Sequence, residues 1–414
     1  MFRRLMTVVA FGSVFAAGMA LPDAGRASVP APVLTRITTD AGHHPSRSGF
    51  ASPKLGIRHV FMIIIENESF ASTYRKNPNH YLGRKLQRQG TLLTNYYATG
   101  HVSLDNYVSM LSGQAPNVDT QADCRIYIDF QPRPAPLDKD GQAVGRGCVY
   151  PRNVKTVADQ LRKKHISWGG YMDDMGNDLT REPSRCGEPA ASFGSGMPDG
   201  TQSADAGDQY AARHNPFVYF HSLIDTGACH RHVVPLTHLR YDLRSPYRTP
   251  HFTFITPNLC NDGHDKPCKG KDAAGKKTGG LASVDHFLKL WVPRIKRSPA
   301  YQKNGLLIIA ADESDNGDTA SCCGEQAGPG SPRPGIRGMG GGRIGALVMG
   351  RCIKPGTRDK RKYNHYSLLR SLEDIYGVRH GGSDHKGHLG FAGAKGLRPF
   401  GPDLFRACPR RGRA

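Results

Sequence analysis

Apolar residues along this chain gather in short unbroken runs separated by long polar stretches rich in Gly and Pro. The sharpest run, Arg58–Ile65 (RHVFMIII), shows no polar alternation, which is the pattern of a strand buried on both faces of a parallel sheet. TLLTNYYA, HFTFITP, GLLIIAAD and IGALVMG have the same character. Between these runs the spacing becomes helical, at Val154–His165, Ala282–Ile295 and His365–Tyr376, with Pro293 expected to kink or end the second. Strands interleaved with helices predict an α/β fold with a doubly wound, mostly parallel sheet. The stretch from about 113 to 215 is rich in Cys, Pro and Gly and reads as a cap inserted into that framework.

The first thirty residues have another character. Arg3 and Arg4 precede an apolar stretch from Leu5 to Leu21, and small residues follow, the layout of a secretory signal peptide. Residues 31–56 then read as an exposed lead-in, 57–405 as the folded domain and 406–414 as a basic tail. No later segment has the ~18 consecutive apolar residues that a membrane span requires. The expectation is a secreted, extracellular protein. Ten cysteines agree, because oxidising compartments permit disulfides. None of the pairs has the CxxC spacing of a zinc site, so disulfides bracing loops are expected, Cys260–Cys268 among them.

Across 414 residues, 56 Lys+Arg stand against 35 Asp+Glu, a formal net charge of +21. The basic clusters Lys269–Lys277, Lys354–Lys362 and Arg406–Arg413 read first as solvated loops. Their sharper reading is a basic rim that concentrates phosphorylated substrates or faces an anionic membrane surface. No helix-turn-helix, zinc-finger or RNP pattern accompanies the charge, so no specific nucleic-acid partner is expected.

Candidate chemistry recurs where apolar strands stop, which is where ligands bind in open α/β sheets. Glu66 and Asn67 directly follow the first strand and offer the oxygen ligands of a hard divalent cation. Ser103, in GHVSLDNYVSMLSG, falls near a helix N-terminus, where free N–H groups favour an anion and a hydroxyl could attack phosphorus. Asn106 could donate its amide to a phosphoryl oxygen. Asn258, Asp262 and His264 crowd one loop after HFTFITP and suit a metal or proton transfer. Asp312 and Glu313 end a buried strand as adjacent carboxylates, which repel unless a cation lies between them. His365 opens a helix. For each cluster except the Asp312–Glu313 pair, a capping or turn role is the competing reading, and for His365 a core histidine as well.

IIIENESF, GHVSLDNYVSMLSGQAPN, TPNLCNDGHD, the strand-terminal DES and NHYSLLRSLEDIYG, in this order, resemble the phosphoesterase family of the alkaline phosphatase superfamily. That family includes secreted bacterial acid phosphatases and non-specific phospholipases C. The phosphatase branch, with exported mycobacterial-type enzymes acting on phosphatidylinositol 3-phosphate, looks closer. The resemblance covers about Arg58 to Phe405. It implies that Glu66, Asn67, Asp312 and Glu313 bind a divalent metal ion, with a second metal as an open alternative. It also implies that Ser103 is the nucleophile and touches that metal, and that Asn106 holds the phosphoryl group. His101, Asp262, His264 and His365 would then surround the phosphate. Relatives carry Ser or Thr followed by x-Pro-Asn at the nucleophile, whereas here the sequence is Ser-Leu-Asp-Asn, with Asp105 in place of the proline.

The expected activity is metal-dependent hydrolysis of phosphate monoesters, small-molecule or lipid, through a phosphoserine at Ser103, with a histidine acid favouring low pH. Two alternatives remain: a phospholipase C, for which the 113–215 stretch shows no obvious apolar docking surface, and a non-catalytic basic binding protein.

Overall fold

The computed structural model describes residues 56–76, 80–190, 197–315, 317–323, 325–331, 333–378, 380–401 and 404–405. The expected signal peptide, most of the lead-in and the basic tail lie outside the described residues. Among the described residues eight strands form one sheet: β1 (His59–Ile65), β2 (Thr91–Tyr97), β3 (Trp168–Met172), β4 (Val233–Pro235), β5 (Phe252–Thr256), β6 (Gly305–Ala311), β7 (Ala346–Gly350) and β8 (Thr357–Asn364). Their spatial order is β4-β3-β5-β1-β6-β7-β2-β8. Every neighbouring pair is parallel except the two that β7 makes with β6 and β2. The mostly parallel α/β sheet expected from the runs is therefore present, with one strand reversed near its middle.

β1 is buried along its whole length, as its unbroken apolar run requires. It pairs with β5 through Ile63↔Ile255 and with β6 through Ile65↔Ala311. The carboxyl ends of β1 and β6 therefore finish side by side, and the residues that follow them emerge together.

Helices α1 (Ser103–Ser112), α2 (Val157–Lys163), α3 (His221–Ile224), α4 (Ala228–His232), α5 (Leu239–Asp242), α6 (Gly280–Arg297), α7 (Pro299–Asn304) and α8 (His365–Tyr376) complete the fold. α2 starts at a capping box, with the Thr156 hydroxyl accepting from the Asp159 N–H and the Asp159 carboxylate accepting from the Thr156 N–H. α8 is capped by Asn364, whose Oδ1 accepts from the Ser367 N–H at 2.9 Å, and it stops at Gly377 in the left-handed region.

Three expectations are corrected. Pro293 does not end its helix, because α6 continues to Arg297. The Lys354–Lys362 cluster is largely edge strand β8 instead of loop, with its basic side chains exposed or half-buried and Asp359, Tyr363 and Asn364 turned inward. The stretch from 113 to 215 is not wholly an insertion, since α2 lies within it and β3 pairs with β4 and β5 in the main sheet. Loops on either side of β3 carry the bracing disulfides Cys124–Cys148 and Cys186–Cys229, the latter reaching α4. The expected Cys260–Cys268 bridge is present, and Cys322 pairs with its neighbour Cys323. Among the described residues no helix is long and apolar enough to cross a membrane.

Candidate active site

The site forms where β1 and β6 end. The Asp312 N–H donates to the Ile65 carbonyl at 2.9 Å, stitching the two strand ends together. Beyond Ile65 the chain turns at Asn67, with φ of 53°, and the Asn67 N–H donates to Asp312 Oδ1 at 3.0 Å. Glu66 is fixed between these points, fully buried. The Glu66 N–H donates to the Asp262 carbonyl at 2.8 Å, which draws in the loop after β5.

The nucleophile candidate arrives from a strained turn. Val102, immediately before Ser103, has φ of 89°, a backbone region that β-branched residues rarely adopt. Two side chains hold it there. The Val102 N–H donates to Glu313 Oε2 at 2.7 Å, and Asn106 Nδ2 donates to the Val102 carbonyl at 3.2 Å. Ser103 Oγ then donates to Glu66 Oε2 at 2.8 Å. One helical turn later the Tyr107 hydroxyl donates to Glu66 Oε1 at 2.7 Å. Free donors at the start of α1 were expected to receive an anion. Instead Leu104 N–H donates to Asp123 Oδ1 at 3.0 Å, so carboxylates already occupy the donors on both sides of Ser103.

Two residues not singled out from the sequence complete the ring. His214 stacks on Tyr107 and places Nδ1 3.2 Å from Asp262 Oδ2 and Nε2 3.4 Å from Glu66 Oε2. Arg213, also buried, donates from Nη2 to His264 Nε2 at 3.2 Å. The available signal was the segment ARHNPFVYF, a basic pair before a buried aromatic run, but it lies in the Pro- and Gly-rich stretch that read as cap.

Each expected site residue has a definite place. Glu66, Ser103, Asp262 and Asp312 converge. Asn67 contributes its main chain to Asp312. Glu313 lies alongside and binds His101 Nδ1 at 2.9 Å as well as Val102. His101 points Nε2 at the Asp318 carbonyl, 2.8 Å away, so both ring nitrogens face acceptors, as suits a doubly protonated ring. His264 is part-exposed at the edge, with Nδ1 2.9 Å from Asp265 Oδ1 and its N–H donating to Asp262 Oδ1 at 2.8 Å.

Two expectations change. Asn106 was expected to hold a phosphoryl oxygen, yet its amide is fully buried and bonded to the preceding turn. Oδ1 accepts from the Thr99 N–H and hydroxyl and the Gly100 N–H, and Nδ2 donates to the Gly100 and Val102 carbonyls. His365 was expected beside the phosphate, yet it is buried behind the site, with Nε2 2.6 Å from the Asp312 carbonyl and Nδ1 3.0 Å from the Tyr96 hydroxyl. Both side chains shape the site from outside it.

The electrostatics describe a cluster short of positive charge. Burial, then the nearby Asp312 and Asp262 charges, push the Glu66 carboxyl far above its ordinary range. Burial likewise raises Asp262 and Asp312, and takes Glu313 up to about 7. Burial opposes a charge on His101, but the hydrogen bond to Glu313 and that carboxylate's charge outweigh it and hold the ring above its ordinary value. His214 is pushed well down, by burial first and by Arg213 and His264 next. Asp312 Oδ2 and His214 Nε2 are buried and lack a hydrogen-bond partner. Ligand atoms of Glu66, His214 and Asp262 lie within 4.8 Å of one another. Carboxylate oxygens with one imidazole suit a divalent cation, so these residues fit a metal. A second grouping, Cys186, Glu188 and Cys229, offers no thiolate because its sulfurs form a disulfide.

Comparison with known proteins adds the family. The chain is 30% identical over 298 residues to the phosphate-repressible acid phosphatase of Penicillium chrysogenum, covering 71% of this chain and 54% of that protein. It is 25% identical over 296 residues to an acid phosphatase of Aspergillus fumigatus, and so spans about half the length of these curated relatives. The phosphatidylinositol-3-phosphatase of Mycobacterium tuberculosis matches at 22% identity over 77% of each chain. Among solved structures, a protein of the alkaline phosphatase superfamily from Vibrio parahaemolyticus aligns at a TM-score of 0.42 and 16% identity, covering 80% of this chain and 68% of that one. The model of the Phosphoesterase family matches residues 72–379, about three quarters of the sequence, and the chain belongs to that family.

Proposed function

We propose that this protein is an exported, metal-dependent phosphomonoesterase of the acid-phosphatase kind, working through a phosphoserine at Ser103. The observation that carries the reading is the Ser103 hydroxyl, 2.8 Å from Glu66 in a buried ring that also contains Asp262, Asp312 and His214. Named acid phosphatases among the relatives support the reaction class. The disulfides support work in an oxidising compartment.

Glu66 and Asp312 would hold the metal, with Asn67, Ser103 and Glu313 from the sequence resemblance and Asp262 and His214 from the geometry. When bound, the ion would neutralise phosphoryl charge and ease deprotonation of the serine. Within the chain, Glu66 orients the Ser103 oxygen, and Tyr107 fixes the other Glu66 oxygen. Ser103, its proton passing to Glu66 Oε2 along their hydrogen bond, attacks phosphorus, the P–O bond to the alcohol breaks, and water later hydrolyses the phosphoserine and restores the hydroxyl. His264, at the open edge, would protonate the departing alcohol once it releases Arg213. The phosphatidylinositol-3-phosphatase relative supports phosphorylated lipids beside small phosphomonoesters as substrates.

The test is release of phosphate from p-nitrophenyl phosphate by purified protein across pH, with divalent metals or a chelator. Ser103→Ala and Glu66→Gln are each expected to lower turnover by several orders of magnitude, because nucleophile and metal act as a unit. Undiminished turnover in either variant would refute the assignment.

A further inference from the structure

Eleven large apolar side chains are exposed among the described residues, and six of them lie on three adjoining segments: Val118, Ile126 and Ile128 on one, Met197 on a second, Ile336 and Met339 on a third, each 43–49% exposed. Scattered exposed apolar residues are ordinary, whereas a concentration of them marks an interaction surface. The segments adjoin each other. Gln121 Nε2 donates to the Arg333 and Pro334 carbonyls, and the Ser331 hydroxyl donates to Gln121 Oε1. Ile126 bridges to Pro198, and the Tyr127 N–H donates to the Met197 carbonyl.

The segments that carry Ile126 and Ile336 are also fastened to the nucleophile turn. The His101 N–H donates to the Pro334 carbonyl at 3.2 Å, and the Leu104 N–H donates to Asp123 on the other segment. Segments bearing these apolar residues therefore flank the nucleophile turn. Ile336 holds φ of 60°, an unfavourable backbone for a β-branched residue, at the point where its side chain reaches solvent. Exposed Arg125, Arg333 and Arg337 stand among them.

We infer that these segments form a docking surface for an anionic lipid layer, the apolar side chains entering the interface while the three arginines meet the headgroups. Apolar residues interspersed with arginines match the two attractions that hold peripheral proteins to acidic membranes. The inference deepens the phosphomonoesterase reading and rests on it for the identity of the site, and it turns the substrate class toward phosphorylated lipids presented in a surface. It also supplies the apolar surface that the sequence of the 113–215 stretch did not reveal.

Co-sedimentation of the full chain with vesicles of phosphatidylcholine, alone or with phosphatidylserine, tests it. The wild type is expected to bind the anionic vesicles about tenfold better, and this preference should shrink with salt. Ile126→Ser/Ile336→Asn/Met339→Ser and, separately, Arg125→Glu/Arg333→Glu/Arg337→Glu should each cut vesicle binding about tenfold. Neither should change turnover of p-nitrophenyl phosphate, which also reports that the variants are folded. Equal wild-type binding to both vesicle types, or apolar variants that bind as well as wild type, would overturn the inference. So would self-association abolished by the apolar substitutions without vesicle binding, since the surface would then be a protein interface. Vesicle binding without any phosphate release would uphold the docking surface and refute only the proposed reaction.

Discussion

The Asn106 amide bonds five times within the turn that precedes α1, to Thr99, Gly100 and Val102, and so holds the left-handed Val102 from below. Asn106→Ala would strip partners from several buried backbone groups at once, and the expected loss is about 2–4 kcal/mol, read by urea unfolding. Asn106→Asp keeps the acceptor and should cost less; equal loss in both would argue against this account. The same turn is guarded on its other side by Gly341. A Cβ there would come 1.8 Å from the Gly100 carbonyl oxygen and 2.7 Å from Ala98 Cβ. Gly341→Ala should therefore force the backbone before Ser103 to move, with a fall in the proposed phosphatase turnover larger than the fall in melting temperature would explain. At this scale the sequence disclosed chemistry better than orientation. Glu66, Ser103, Asp262 and Asp312 stood out because strand ends collect polar groups. That Asn106 and His365 serve the site from behind depends on which carbonyls they meet, and residue type says nothing about that.

Elements were legible where burial left a mark on composition. β1, β6 and β7 announced themselves because strands covered on both faces are apolar throughout, and β2 and β5 because Leu, Tyr, Phe and Ile dominate them. β3 did not, since WGGYM carries two glycines where the phenylalanines and tyrosines of the surrounding helices and strands need room. A Cβ on Gly170 would meet the Phe217 ring at 2.8 Å. β8 was hidden by TRDKRKYN, whose charges suit an edge strand and discourage another chain from adding to it. α6 shows the opposite case, a strong helical pattern overriding a local breaker. Pro293 sits late in that 18-residue helix, lacks an N–H and crowds the preceding turn. Pro293→Ala should stabilise the protein by about 1–2 kcal/mol, less than the full proline penalty because the unfolded chain regains freedom. Chemical denaturation would show it as a higher midpoint.

Over the whole molecule, buried acids set how stability depends on pH. Glu373, fully buried with one oxygen accepting from the Leu389 N–H, is pushed up to about 8 by burial. In the unfolded chain it ionises near 4.5, so the folded state keeps a proton that the unfolded state has lost. Stability is fully present below that value and falls as pH climbs toward 8. His365 and His251, lowered to about 4 by burial, act in the other direction, but only below about 6.5. The melting temperature should therefore decline between pH 6.5 and 8, and Glu373→Gln should remove about 1–2 kcal/mol of that decline. The order of the strands has a different consequence. Only β3–β4 and β6–β7 are neighbours both in sequence and in the sheet, and β2 waits for β8. A ribosome must deliver β6 before β1 has both of its partners, and β8 before β2 does. Such distant pairings fold slowly, so a chain cut short before Gly305 would display the bare flank of its most apolar strand while still lacking Asp312 from its buried acidic ring.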